Sequence, residues 1–97
     1  MSIVVILKVT ASDGNTEAVK QLFIDTLPDT RAFDGCNGVS AYTVQDQPDV
    51  VTMIEKWESR EHYEKYMAWR STTSAMGELM ELAAGPPSIE YLDLFDQ

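Results

Sequence analysis

The sequence predicts an α+β fold with the element order β, α, β, β, α, α, β, the order of a split βαβ, ferredoxin-like unit with helices on one face of an antiparallel sheet. Three observations predict it. Apolar runs with strand periodicity open the chain, precede its central helix and close it; stripes at helical spacing fill the intervals; and polar or Gly/Pro turns separate them. The first, third and last strands are apolar on both sides, so the helix-free face is too hydrophobic to leave in water. A second copy of the sheet is expected to cover it, which makes a homodimer.

Ile3 to Val9 sets Ile3, Val5, Leu7 and Val9 against Val4 and Ile6, as in a strand covered on both faces. Asp13-Gly14-Asn15 is a turn and cap, after which Val19, Leu22, Phe23 and Leu27 share one helical face. Pro28 removes a backbone donor and disfavours helix at Leu27, so the helix is expected to end or kink there, with a short turn to Phe33 and a stop at Asp34-Gly35. Cys36 to Gln45 alternates as a second strand, and Gln45 to Asp49 is a polar turn joining it to the third as a hairpin. Beyond the central helix, Ser71 to Ser74 offers caps, and Met76, Leu79, Met80 and Ala83 form a stripe. Gly85, which accepts a left-handed conformation, and Pro86-Pro87 stop that helix, and Ser88 to Phe95 is the last strand.

Val50 to Arg70 holds nearly every residue able to do chemistry. Alternation through Val50 to Trp57 puts Val51, Met53, Glu55 and Trp57 on one face, so Glu55 and Trp57 look the same way. Ser59 is the expected N-cap of a helix from Arg60, with Glu61 in its first turn suiting the helix dipole. Tyr63, Tyr66, Met67 and Arg70 form one stripe flanked by His62 and Trp69. That aromatic face and Trp57 are expected to wall one cavity.

The 97 residues make a single domain, 1–97. A net charge of −9, with seven scattered Lys and Arg residues, argues against nucleic acid and anionic lipid as partners. The opening apolar run lacks a basic flank and stops at Lys8, too early for a signal or spanning helix, so a soluble cytoplasmic protein is expected. Cys36 is the only cysteine and His62 the only histidine, and no cluster has metal-ligand spacing; no cofactor and no metal are expected.

The first strand Ile-Val-Val-Ile-Leu-Lys-Val followed by Gly14 and a helix, then Glu55-Lys56-Trp57-Glu58-Ser59 within a Glu-x-Trp-x-Ser-x-Glu run, then an apolar closing strand, together resemble the antibiotic biosynthesis monooxygenase-like domains. These belong to the dimeric α+β barrel superfamily and include quinol monooxygenases. Tyr66 to Arg70 and Pro86 to Tyr91 look like one subgroup of them. The resemblance implies a dimeric barrel and, for the oxygenases of the family, conversion of quinols or anthrone-like polyketides without metal, flavin or haem; haem degraders and an isomerase also belong. It implies a pocket between sheet and helices lined by Trp57, Tyr63 and Tyr66. Many members carry histidine where this chain has Tyr66, and Lys8 is the nearest polar group on the first strand, so haem degradation fits poorly.

Oxygenation without a cofactor needs a base, a stabiliser for the substrate anion and a dry pocket. The candidate catalytic residues are His62, the one side chain ordinarily titrating near neutrality, Glu55, which burial would raise into range, and Tyr66. The candidate substrate-binding residues are Trp57, Tyr63, Met53 and Arg70. The plainer readings are an exposed first-turn His62, a salt-bridged Glu55, core roles for Trp57, Tyr63, Tyr66 and the methionines, and a helix-end surface cation for Arg70. The expected function is a cofactor-independent monooxygenase acting on a small aromatic or quinol-like ligand, the alternatives being a non-catalytic binding dimer or an isomerase using the same pocket.

Overall fold

The computed structural model describes residues 2–97. The elements are β1 (Ile3–Thr10), α1 (Thr16–Ala32), β2 (Cys36–Val44), β3 (Gln47–Trp57), α2 (Arg60–Arg70), α3 (Ser74–Leu82) and β4 (Ser88–Leu92), in the order expected. They build one antiparallel sheet, β2-β3-β1-β4.

Strand alternation decides the two faces. The rows Val39–Glu55–Val5–Tyr91 and Ala41–Met53–Leu7–Ile89 lie across the sheet on the side packed by the helices. Val5, Leu7, Val9, Val51 and Met53 are buried there with Val19 and Leu27 of α1 and Leu79 of α3. The opposite rows, Tyr42–Thr52–Lys8–Ser88 and Ser40–Ile54–Ile6–Glu90, carry no helix. Ile54 and Leu92 are exposed on that face and Val4 and Ile6 are half-buried.

Four expectations need correction. α1 does not end at Pro28 but runs on to Ala32. The carbonyl that loses its donor is that of Ile24, an exposed residue that solvent can reach, and buried Leu27 and Thr30 hold the turns on either side of the proline. The stop at Asp34-Gly35 is where the sequence places it, with Gly35 at φ 89°. The β2–β3 turn is only Gln45–Asp46, so β3 starts at Gln47; Pro48 fits where the β2 register shifts and β1 no longer runs alongside.

α3 ends because Ala83 turns extended and bridges to Ala11, with Ala84 N–H donating to the Thr10 carbonyl at 2.7 Å. Gly85 is not left-handed, and Met80 points outward at 53% exposure, while Leu79 is buried. β4 stops at Leu92, paired with Val4 near the start of β1, and Phe95 is fully exposed.

Candidate functional site

The site forms where β3 hands over to α2. Glu58 N–H donates to the Gly35 carbonyl at 2.8 Å, tying this turn to the one after α1. Ser59 caps α2 as expected: its hydroxyl accepts from His62 N–H at 3.2 Å. The strand end and the first helical turns therefore converge. Tyr63, Tyr66 and Arg70 face inward and Met67 is half-buried beside them.

The rings close on one another. Trp57 is 0% and Tyr63 1% exposed. The Trp57 ring lies 5.5 Å from that of Tyr63, edge to face, and 5.1 Å from that of Tyr66. Phe33 joins the Trp57, Tyr66 and Trp69 rings, and Tyr91 of β4 stands edge-on to Tyr63 at 5.8 Å, capped by the Arg60 guanidinium at 3.8 Å. Phe33 and Tyr91 were not legible as site residues, because each reaches the cluster from a distant part of the chain.

Glu55 lies within this apolar shell, 3% exposed. Its Oε1 accepts from the Trp57 indole N–H at 3.0 Å, the pairing that alternation predicts for residues on one face. It belongs to none of the ion pairs among the described residues, so the salt-bridged reading does not hold. Burial lifts its carboxyl from 4.5 to about 7, and the indole hydrogen bond lowers it only in part. The buried Tyr63 hydroxyl has no hydrogen-bond partner among the described residues. Burial first, and then the nearby Glu55 charge, push its ionisation upward. A proton acceptor poised near neutrality thus sits beside an uncommitted donor.

His62 points elsewhere. Its Nδ1 pairs with the Ser59 hydroxyl at 2.7 Å and its Nε2 lies 3.9 Å from the Asp34 carboxylate. The ring packs against Gly35, where any Cβ would collide with it. It is half-buried, neither the exposed first-turn residue nor a partner of Glu55 by any hydrogen bond or ion pair. Met53 is buried in the neighbouring cluster under α1 and α3.

Arg70 is not a surface cation: it is 7% exposed, and its guanidinium donates to the Tyr66 hydroxyl at 3.1 Å, to Thr30 Oγ1 at 3.0 Å and to the Thr26 carbonyl at 3.1 Å. Thr30, on the turn of α1 beyond Pro28, also pairs with the Tyr66 hydroxyl at 2.7 Å. Ending α1 at Pro28 hid it. The expected cavity differs in place. A void of about 40 Å³ reaches Tyr66, Met67 and Arg70, but Trp57 and Tyr63 do not line it. A wider groove of about 300 Å³ between α1 and the β2–β3 edge has Lys20 and Tyr42 as its only titratable lining residues and no acid–base pair.

The topology and the helix-covered site define a ferredoxin-like α+β domain with an aromatic-walled carboxyl. The sequence pattern described as antibiotic biosynthesis monooxygenase matches residues 2–75, and the chain belongs to that family. Solved structures agree on the fold across the full chain. Rv0793 from Mycobacterium tuberculosis is 21% identical with a TM-score of 0.86, covering 100% of this chain and 98% of that one. SO0527 from Shewanella oneidensis is 24% identical with a TM-score of 0.77, covering 93% and 87%. A variant of SnoaB, a cofactor-independent oxygenase from Streptomyces nogalater, is 11% identical with a TM-score of 0.83, covering 99% and 95%. No match to a curated protein accompanies these likenesses.

Proposed function

We propose that this protein is a monooxygenase working without metal or flavin on a small quinol- or anthrone-like aromatic, with Glu55 as its base. The observation that carries the reading is the Glu55 carboxyl, raised to about 7 inside an aromatic shell. A base at that value is half in its accepting form at neutral pH and returns its proton readily. Family membership supports it, as does the likeness in fold to an oxygenase described as cofactor-independent.

For an anthrone, Glu55 takes a proton from the methylene carbon, and the resulting enolate passes one electron to dioxygen. Superoxide and the substrate radical join at that carbon. The peroxide takes the proton back from Glu55 and loses water, so that one CH₂ and one O₂ become one C=O and one H₂O. Tyr63 O–H, without a partner among the described residues, donates to the anion as its charge develops. Trp57 holds the carboxyl through its indole N–H.

The chain is proposed to act as a homodimer through its helix-free face. Val4, Ile6, Ile54 and Leu92 line that face, and the Thr52 hydroxyl is buried there without a partner among the described residues. Ile54→Asp should halve the mass seen by light scattering; a wild-type monomer at micromolar concentration would remove this part.

Oxygen uptake with anthrone and menadiol tests the chemistry. Wild type should consume oxygen, and Glu55→Gln should lower the rate about 100-fold or more. Equal rates in the two would dismiss Glu55 as base. Exchange of the substrate's acidic proton without oxygen uptake would favour the isomerase, for which the same carboxyl is equally suited. Saturable quenching of Trp57 emission with neither reaction would leave a binding module.

A further inference from the structure

Arg70 is a buried cation without an anion. A guanidinium keeps its charge in a folded protein, and buried charges are ordinarily paired with an opposite one. The chain has 16 Asp and Glu residues, yet none of the ion pairs among the described residues includes Arg70. Its hydrogen-bond partners, the Thr26 carbonyl and the Thr30 and Tyr66 oxygens, are all neutral, its other electrostatic contacts are the rings of Trp69 at 4.7 Å and Tyr66 at 5.3 Å, and Nη1 makes no hydrogen bond among the described residues.

The void of about 40 Å³ opens on this group. Arg70 and Tyr66 are its only polar walls; Leu7, Phe23, Met67 and Met76 are among the apolar ones. As it stands it has room for a group of only a few atoms, since a water takes about 30 Å³ of liquid volume. Met67 and Met76 are the walls best able to give way, being unbranched and flexible. An oxyanion suits the cationic end, because Nη1 still has its N–H donors to give and the Tyr66 hydroxyl, held by Thr30, can turn to donate. An apolar body suits the rest. The Trp57 and Tyr66 rings, 5.1 Å apart, separate this end from Glu55, so the two charged groups serve different parts of the cluster.

We propose that Arg70 and Tyr66, positioned by Thr30, form a subsite for the carboxylate or phenolate oxygen of a ligand with a planar apolar body, entering between α1, α2 and α3. Where that ligand is also the oxygenase substrate the assignment rests on the reading above. Binding is measured without oxygen chemistry, so either can fail alone.

The test is calorimetric titration of the full-length chain with 1-naphthoate and, at matched ionic strength, its neutral analogue 1-naphthamide. Wild type should bind naphthoate saturably and naphthamide at least about tenfold more weakly, the size of a lost hydrogen bond to a charged group. Arg70→Gln should lose at least about tenfold in naphthoate affinity and Tyr66→Phe a few-fold, neither changing naphthamide binding. If Arg70→Gln does not give the wild-type circular dichroism spectrum, the two ligands on wild type and the Tyr66→Phe shift decide. Naphthoate bound no better than naphthamide, or equally by wild type and a folded Arg70→Gln, would overturn the proposal; so would the absence of saturable binding of either. Binding with these ratios and no oxygen uptake on any quinol would uphold the subsite and dismiss the oxygenase.

Discussion

Glu55 and Arg70 are each almost wholly buried, and they lie at the two ends of one aromatic cluster, but the fold treats their charges in opposite ways. Glu55 has a single hydrogen bond, from the Trp57 indole, and answers burial by holding its proton up to about 7. Arg70 cannot answer that way, and instead donates three hydrogen bonds to acceptors on α1 and α2. The difference separates two kinds of buried charge. A group that can neutralise itself is left lightly tied and able to exchange protons, whereas one that cannot is anchored and becomes structural as well as attractive to anions.

Removing the anchored group should cost most. Arg70→Ala leaves the Tyr66 and Thr30 hydroxyls and the Thr26 carbonyl without their cation and opens space beside an existing void. Urea denaturation should show a loss of about 3 kcal/mol or more. A loss below about 1 kcal/mol would mean that the hydrogen bonds contribute little, and the contrast would fail.

Next comes the pH dependence of stability. The folded Glu55 carboxyl is raised above its ordinary value, so its contribution is fully present below about 4.5 and is lost as pH rises to about 7. Wild type should lose on the order of 3 kcal/mol across that window from this group, and Glu55→Gln should lack that part of the slope. Parallel slopes in the two proteins would show that Glu55 ionises alike folded and unfolded.

The smallest effect concerns Tyr63. Its hydroxyl is buried and unpaired among the described residues, so Tyr63→Phe should be neutral or stabilising by up to about 1 kcal/mol while slowing any oxygen consumption. A clear loss of stability would reveal a partner for that hydroxyl in solution.

Much of this was legible from local pattern. Alternation put Glu55 and Trp57 on one face, and the Ser59 cap fixed the phase of α2, so the inward stripe of Tyr63, Tyr66 and Arg70 followed. What failed depended on distant contacts. Pro28 reads as a helix end, but buried Leu27 and Thr30 and an exposed Ile24 carry α1 past it, and Thr30 then meets Tyr66 and Arg70. His62 has the right chemistry for a base, yet the close approach of Gly35 and the Ser59 cap hold its ring away from Glu55, which no spacing rule reveals. Arg70 at the end of a helix looks like a solvent cation, and its burial follows only once α1 lies across it.

The central claim is that Glu55 exchanges its proton near neutrality within the aromatic shell. Carbon-13 labelling of the glutamate side chains and a pH titration of their carboxyl resonances tests it directly, with Glu55→Gln identifying the signal. A midpoint near 7, absent from the variant, is the predicted result. A midpoint near the ordinary value of 4.5 would contradict it, leaving Glu55 a spectator carboxylate and the site without a base.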